Sequence, residues 1–180
     1  MKLNLYTKRG FTLIELITAV SIFLIIMTVS MGSILGVFDA NRRSRSLKNV
    51  MSNLNLAVDS MSREMRYGRN YHCGSTGNTA TPQNCVSGED FMSFLSSDNT
   101  QITYRYASSH IEKSVDGGGY LQVTAPEVVI DELKFYALGT ATSDTLQPKV
   151  VIKITGHSGV GRGRSDFTLQ TLVSQRRPDL

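Results

Sequence analysis

The sequence predicts an α+β fold in which a long N-terminal helix packs on an antiparallel β-sheet. Apolar residues recur every three or four positions between Leu47 and Met65, which is the period of one helical face. Short runs that alternate apolar and polar residues follow between Ile102 and Val173, which is the period of strands with one buried face. The helical stripe needs a cover and an antiparallel sheet supplies one, so the two patterns together favour an α+β domain.

The predicted helix begins as an apolar segment that is long enough to span a membrane. From Phe11 to Phe38 the chain has 28 residues with one charged side chain, Glu15. A helix of about 20 residues crosses the hydrocarbon core of a bilayer. The apolar region of a signal peptide is shorter, about 7 to 15 residues. Basic residues flank both ends of the segment, so the count of positive charges leaves its orientation open.

The helix is predicted to continue beyond the apolar segment, from Phe11 to Tyr67 in all, and Gly68 is a plausible stop signal. Residues 68–90 are rich in Gly, Ser, Thr and Asn and are predicted to form a loop. Further along, Asp116 to Gly119 predicts a hairpin turn, and a slip in the alternation at Asp131-Glu132 predicts a bulge. The helical stripe is predicted to contain Leu47, Val50 or Met51, Leu54, Val58, Met61 and Met65.

The start of the apolar segment carries a specific pattern. The stretch KRGFTLIEL, residues 8 to 16, resembles the processing site of type IV prepilins and pseudopilins. In that family a membrane peptidase cuts after the glycine and methylates the new terminal amine. The resemblance therefore implies cleavage between Gly10 and Phe11, methylation of Phe11 and a role for Glu15 in filament assembly. A plain signal anchor, with Glu15 near the membrane interface, is the alternative.

The resemblance also implies how the chain is organised. Residues 1–10 would be the leader peptide, residues 11–38 the transmembrane and assembly half of the helix, and residues 39–180 an exported domain of the pilin fold. The implied partners are the prepilin peptidase, other pilin or pseudopilin subunits, and the bacterial inner membrane, which the chain would cross once before entering a pilus or pseudopilus. The stretch FTLQTLVSQRRPDL resembles the ends of small pilin-like proteins and favours a minor, J-like subunit. Secretion, motility, adhesion and DNA uptake all stay open.

Cys73 and Cys85 are the two cysteines of the chain, and both fall in the predicted polar loop. The topology that the resemblance implies places this loop outside the cytoplasm, where thiols are oxidised to disulfides. We therefore expect a Cys73–Cys85 disulfide that holds the loop against the sheet. Two free thiols in a flexible loop are the alternative.

The composition argues against a general nucleic-acid binder. The formal net charge is +4, and without Lys2, Lys8 and Arg9 it falls to +1. A filament-tip module that binds DNA or a surface is the alternative function. Its candidate residues are Arg42, Arg43, Arg45, Arg162 and Arg164.

Neither a catalytic site nor a metal site is predicted, and no cofactor is expected. The glycine-rich stretch GHSGVGRGRS, residues 156–165, lacks the lysine and hydroxyl pair of a phosphate-binding loop, so we expect a hairpin loop there. His72, His110 and His157 lack the paired spacing of zinc sites and are predicted to lie on the surface. The chain is therefore predicted to be a structural subunit and not an enzyme.

Overall fold

The structure is a computed structural model that describes residues 10–75, 77–141, 146–159 and 164–176. The chain divides into two compact units, with the boundary between Arg42 and Arg43. Helix α1 (Leu13–Tyr67) contributes to both units and begins two residues later than predicted. In the first unit every described residue is exposed, whereas the second unit has a hydrophobic core. The boundaries predicted for the leader, the membrane segment and the exported domain stay predictions.

Nine strands follow α1 in the part of the chain that the structure describes. With α1 they confirm the predicted α+β layout, which is consistent with a pilin fold, and they form two antiparallel sheets where one was expected. One has five strands in the order β1-β3-β4-β5-β6, the other has four in the order β2-β7-β8-β9, and all strand pairs are antiparallel. The strands are β1 (Arg69–Cys73), β2 (Cys85–Glu89), β3 (Phe91–Leu95), β4 (Gln101–Ala107), β5 (His110–Val115), β6 (Leu121–Gln122), β7 (Val128–Leu138), β8 (Lys149–Ser158) and β9 (Ser165–Ser174).

One face of α1 joins both sheets in a common hydrophobic core. The predicted stripe is confirmed from Val50 onward, with Ala57 added to it, whereas Leu47 and Met51 are only half-buried. The helical period therefore identified which residues are buried, because only one face of a helix can meet a sheet. The residues of α1 that are buried are Val50, Leu54, Ala57, Val58, Met61 and Met65.

The end of α1 at Tyr67 confirms the predicted stop at Gly68. A Cβ atom at residue 68 would lie 2.6 Å from Cδ2 of Phe94, so the chain passes the sheet too closely there for a side chain. The Tyr71 hydroxyl donates to the carbonyl oxygen of Gly68 at 3.1 Å and also contacts that of Met65. The Met65 carbonyl oxygen also accepts from the backbone N–H of Gly68 at 3.0 Å, so the last carbonyl groups of the helix have partners outside the regular helical ladder.

A polar cluster ties α1 to the five-stranded sheet. One carboxylate oxygen of Glu64 accepts a hydrogen bond from the Tyr104 hydroxyl at 2.7 Å, and the other lies 2.6 Å from Nζ of Lys113. Burial raises the pKa of Tyr104, and the neighbouring Glu64 carboxylate raises it further, so the hydroxyl remains a donor in alkaline solution as well as at neutral pH. The cluster fixes which part of the sheet α1 packs against.

The prediction of a loop over residues 68–90 is wrong, because β1 and β2 occupy its two ends. Both are edge strands of their sheets, and Gln83 bridges to His72 along the outer edge of β1. The surface placement predicted for His72 is also wrong. Its side chain is 3% exposed because the connecting segment folds back over β1, and its Nδ1 lies 2.6 Å from the carbonyl oxygen of Thr81.

Two irregular features of the strands were predicted and are confirmed. The pairing of β7 with β8 shifts register between Ile130 and Glu132, at the predicted bulge. Strands β5 and β6 form the predicted hairpin, and Asp116 and Gly117 at its turn have positive φ angles of 50° and 70°. Such angles suit the primed turns that match the twist of paired strands.

We expect Gly156→Ala to destabilise the domain. Gly156 lies within β8, and a Cβ atom there would come within 2.7 Å of Cζ of Phe167 and closer still to the carbonyl oxygen of Val129. Overpacking of this kind costs about 1–3 kcal/mol. Thermal unfolding in neutral detergent, followed by loss of β-sheet circular dichroism, measures the effect. Gly119→Ala is the matched control, since nothing lies within 4 Å of its Cβ position. Equal melting temperatures for the two variants would contradict the prediction.

Candidate processing and assembly site

The start of α1 is closed by reciprocal hydrogen bonds between Thr12 and Glu15. Oε2 of Glu15 accepts from the backbone N–H of Thr12 at 3.0 Å and from its hydroxyl at 2.8 Å. In return, the backbone N–H of Glu15 donates to Oγ1 of Thr12 at 3.4 Å. This is the geometry of a capping box, which satisfies backbone donors that the first turn of a helix leaves unpaired.

Thr12 is the residue of this site that the sequence prediction missed. Thr-x-x-Glu directly before an apolar run is a capping-box signature, and residues 12–15 contain it. The sequence prediction treats these residues only as part of a processing motif, and it therefore gives the Glu15 carboxylate a role in assembly alone. The structure gives Glu15 a local role in addition, because its side chain completes the first turn of α1.

The hydroxyl groups within the apolar segment bond to the helix itself. Oγ1 of Thr18 donates to the carbonyl oxygen of Ile14 at 3.0 Å, and Oγ of Ser21 donates to that of Ile17 at 2.8 Å. Thr28 bonds to the carbonyl oxygen of Leu24 in the same way, at 2.7 Å. Bonds to the carbonyl group four residues earlier let these side chains enter an apolar solvent without losing a partner.

The N-terminal part of α1 is long and apolar enough to cross a membrane, by length and composition. None of the side chains in the most apolar stretch is buried within the protein. Large apolar side chains are therefore exposed along the whole segment, which favours a bilayer or other helices as its surroundings.

The proposed scissile bond lies just before this helix. Gly10 and Phe11 precede α1 and are exposed, and the Phe11 side chain has 89% of its surface accessible. The basic residues Lys8 and Arg9 lie outside the described residues. The glycine, the phenylalanine and the capping box thus stand in one short segment in which the backbone around Gly10 is accessible.

A disulfide joins Cys73 to Cys85, and it links the two sheets. Cys73 ends β1 of the five-stranded sheet and Cys85 begins β2 of the four-stranded sheet, with their Cα atoms 5.7 Å apart. Both residues are buried, and the backbone N–H of Ala137 donates to Sγ of Cys85 at 3.4 Å. The bond therefore does not pin a loop to one sheet, as was predicted, but closes the segment between two strands.

The arginines considered for DNA binding lie in different surroundings. Nε of Arg164 donates to Oδ1 of Asp166 at 2.8 Å, and another guanidinium nitrogen of Arg164 lies 4.0 Å from Oδ2 of Asp131. These carboxylates compensate its charge, which weakens its support for DNA binding. Arg162 lies outside the described residues, whereas Arg42, Arg43 and Arg45 are exposed on α1.

The described residues contain no group of three or more His, Cys, Asp or Glu side chains that could hold a metal ion. Two open grooves of about 350 and 370 Å³ flank the second half of α1, between Ser46 and Ser60 and the segment 123–127. Glu127 is the one titratable residue among the residues that line them.

Comparison with known proteins supports the interpretation of the N-terminus. Residues 6–31 match the family model of the prokaryotic N-terminal methylation motif. The matched region contains Gly10, the capping box and most of the apolar segment. The motif is consistent with a type IV pilin-like prepilin, which confirms the predicted resemblance and indicates processing by a prepilin peptidase. Among curated proteins and solved structures, no significant match was found.

We expect the double variant Cys73→Ser/Cys85→Ser to be less stable by about 3 kcal/mol, the chain-entropy estimate for closing so short a loop. The measurement is thermal unfolding of the oxidised chain and of the variant in the same detergent. Reduction of the wild-type chain should lower its melting temperature to a similar degree and leave the variant unchanged. Two thiols that react with a thiol reagent in non-reduced, exported protein would contradict the disulfide.

Proposed function

We propose that this chain is a structural minor subunit of a type IV pilus or a type II secretion pseudopilus. A prepilin peptidase cleaves it between Gly10 and Phe11 and methylates the Phe11 amine, and α1 then packs with the helices of other subunits. The subunit is inserted in the bacterial inner membrane as a single-pass protein, with its C-terminal domain outside the cytoplasm, before it joins the filament. It performs no catalysis.

One observation carries the proposal: the Glu15 carboxylate is held in the first turn of an exposed apolar helix, five residues after the accessible Gly10. A membrane anchor by itself needs no charge in this position. A carboxylate costs about 2.5–3.5 kcal/mol at the centre of a spanning helix on insertion scales, and it costs less near the interface, where the first turn of α1 would lie. The methylation motif over residues 6–31 is the independent support. The assignment to a minor, J-like subunit rests on the resemblance of the C-terminal stretch alone.

The mechanism follows from the position of the new amine. Cleavage leaves Phe11 as the first residue, so its positive amine precedes the capping residue Thr12. Glu15 lies about one helical turn from this amine in the same chain. When helices pack together and exclude water, the carboxylate needs a positive partner. The amine of a neighbouring subunit supplies one, and the pairing fixes the axial position of each entering subunit.

We expect protein from the native host to begin at Phe11 and to carry one methyl group on its amine. Intact-mass analysis measures both changes at once. Recombinant full-length chain made without the peptidase is the control and should keep all ten leader residues. A mature chain that begins at another residue would refute the assignment.

We expect Glu15→Val and Glu15→Gln both to insert in the membrane and fold, yet fail to assemble. Glutamine can replace glutamate in a capping box, so Glu15→Gln preserves the helix start and removes only the charge. Losing one partner of a buried ion pair costs about 3–5 kcal/mol, which is more than about a hundredfold in association. Co-purification of partner subunits measures assembly.

The two Glu15 variants separate the local role of the carboxylate from its role between subunits. Thr12→Ser, which retains the hydroxyl cap, is the control and should assemble normally. If Glu15→Gln recovers partner subunits at wild-type yield, assembly needs only the capping box that residue 15 completes and not its charge. The pairing with an amine is then refuted.

A further inference from the structure

Four basic side chains lie within seven residues of α1, shortly after the apolar segment. All four are exposed, and the sequence has no acidic residue between Asp39 and Asp59. We propose that this group, here called the basic collar, binds the anionic headgroups of phospholipids at the membrane surface. The collar consists of Arg42, Arg43, Arg45 and Lys48.

The distribution of the four charges around α1 fits a planar surface. Successive residues of a helix are about 100° apart, so Arg45 and Lys48 lie about 140° and 160° from Val50, on the side away from the buried stripe. Arg42 lies about 80° from Val50, at the flank of the stripe. Arg43 precedes Val50 by seven residues and therefore lies on the side of the stripe. Cations thus surround most of the helix. A membrane surface that crosses the helix axis meets all of them, whereas a DNA duplex or a protein groove meets one side.

The spacing along the chain places the collar at headgroup depth. The residues from Leu16 to Phe38 span about 34 Å as a helix, and a tilt within the usual range fits them to a core of about 30 Å. Arg42 then lies about 6 Å beyond the end of the apolar segment and Lys48 about 15 Å beyond it. The headgroup region is several ångströms thick, and long arginine and lysine side chains can extend back toward it.

The charge of the rest of the chain favours lipid over nucleic acid as the partner. Residues 49–180 carry twelve basic and thirteen acidic residues, so the domain after the collar has a net charge of −1. A nucleic-acid-binding domain needs an extended basic surface, because each neutralised phosphate requires a cation. A lipid surface needs only the collar, and each Lys or Arg near it favours binding by about fivefold.

The collar supplies the basic residues that remain beside the apolar segment after cleavage. The leader cations Lys2, Lys8 and Arg9 leave the chain on the proposed cleavage. The collar stays, and it holds the mature subunit at the membrane surface until contacts with other helices replace the lipid. The inference rests on the membrane insertion in the proposed function, although it requires neither the peptidase nor a filament.

The test uses the full chain in nanodiscs of phosphatidylcholine with increasing fractions of phosphatidylglycerol. A donor dye on Ser44→Cys, within the collar, reports energy transfer to an acceptor dye carried by either lipid. The disulfide between Cys73 and Cys85 keeps the native cysteines unlabelled. We expect stronger transfer to the phosphatidylglycerol acceptor, and loss of this preference at high salt.

The decisive comparison is between two variants that each lose two positive charges. Arg43→Gln/Lys48→Gln should raise the phosphatidylglycerol fraction needed for half-maximal transfer by at least about fivefold. Arg63→Gln/Lys149→Gln removes two exposed cations outside the collar and should leave this phosphatidylglycerol fraction unchanged. Equal transfer to both lipids, or an equal shift in both variants, would overturn the proposal.

Two further measurements distinguish lipid binding from DNA binding and from a failure of membrane insertion. Labelled duplex DNA is added to the full chain in phosphatidylcholine nanodiscs. DNA binding that the collar variant abolishes, without any lipid preference, would assign the collar to nucleic acid and overturn the proposal. Protease protection of residues 11–38 in the same nanodiscs reports insertion, so a failure of insertion is recognised separately from a failure of lipid binding.

Discussion

The apolar surface of α1 is the constraint on which the rest of the structure depends. Its two halves need to be shielded from water by different partners. Up to Phe38 the helix is apolar all round and buries nothing within the chain. From Val50 to Met65 it is amphipathic, and both sheets cover its apolar face. A helix that is apolar all round needs a bilayer or other helices, whereas one apolar stripe is satisfied by a sheet. The domain is therefore built around the second half of a helix whose first half needs external partners.

The carboxylate of Glu15 meets two demands that differ in what they require. The capping box requires only a hydrogen-bond acceptor three residues after Thr12, and the uncharged amide of glutamine would provide one. A negative charge also interacts favourably with the dipole at the start of α1, by about 0.3–1 kcal/mol. Desolvation of a carboxylate among packed apolar helices costs more than this, which is the physical reason to look for a positive partner outside the chain.

The second unit is held by links that tie its layers to each other. The disulfide joins an edge strand of one sheet to an edge strand of the other. The Glu64 cluster joins α1 to β4 and β5, and the backbone N–H of Arg176, just beyond β9, donates to the carbonyl oxygen of Arg66 at 2.9 Å. A short strand with several polar residues buries few apolar side chains, so burial alone fixes its position weakly. The disulfide, the ion pair and the hydrogen bonds fix it more firmly because they are directional.

The sequence by itself determined the elements whose signals are local and periodic. The buried face of α1, its end before Gly68, the turn at Asp116 and the bulge near Asp131 each follow from spacing or from the backbone preference of a few neighbouring residues. The methylation motif was equally visible, because it is a contiguous stretch within residues 6–31. The capping box of Thr12 and Glu15 lies in the same stretch. It was missed because these residues also match the processing motif, and only that interpretation was considered.

Tertiary structure alone decided the features that depend on residues distant in the sequence. Residues 69–73 and 85–89 read as loop because edge strands tolerate polar residues, and their pairing with β3 and β7 supplied the hydrogen bonds that made them strands. His72 is buried because a later segment folds over it, and composition gives no sign of that. The division into two sheets, and the disulfide between them, likewise arise from strand partners that no local pattern specifies. Periodicity determines which face is buried, but the partner that buries it is chosen by the fold as a whole.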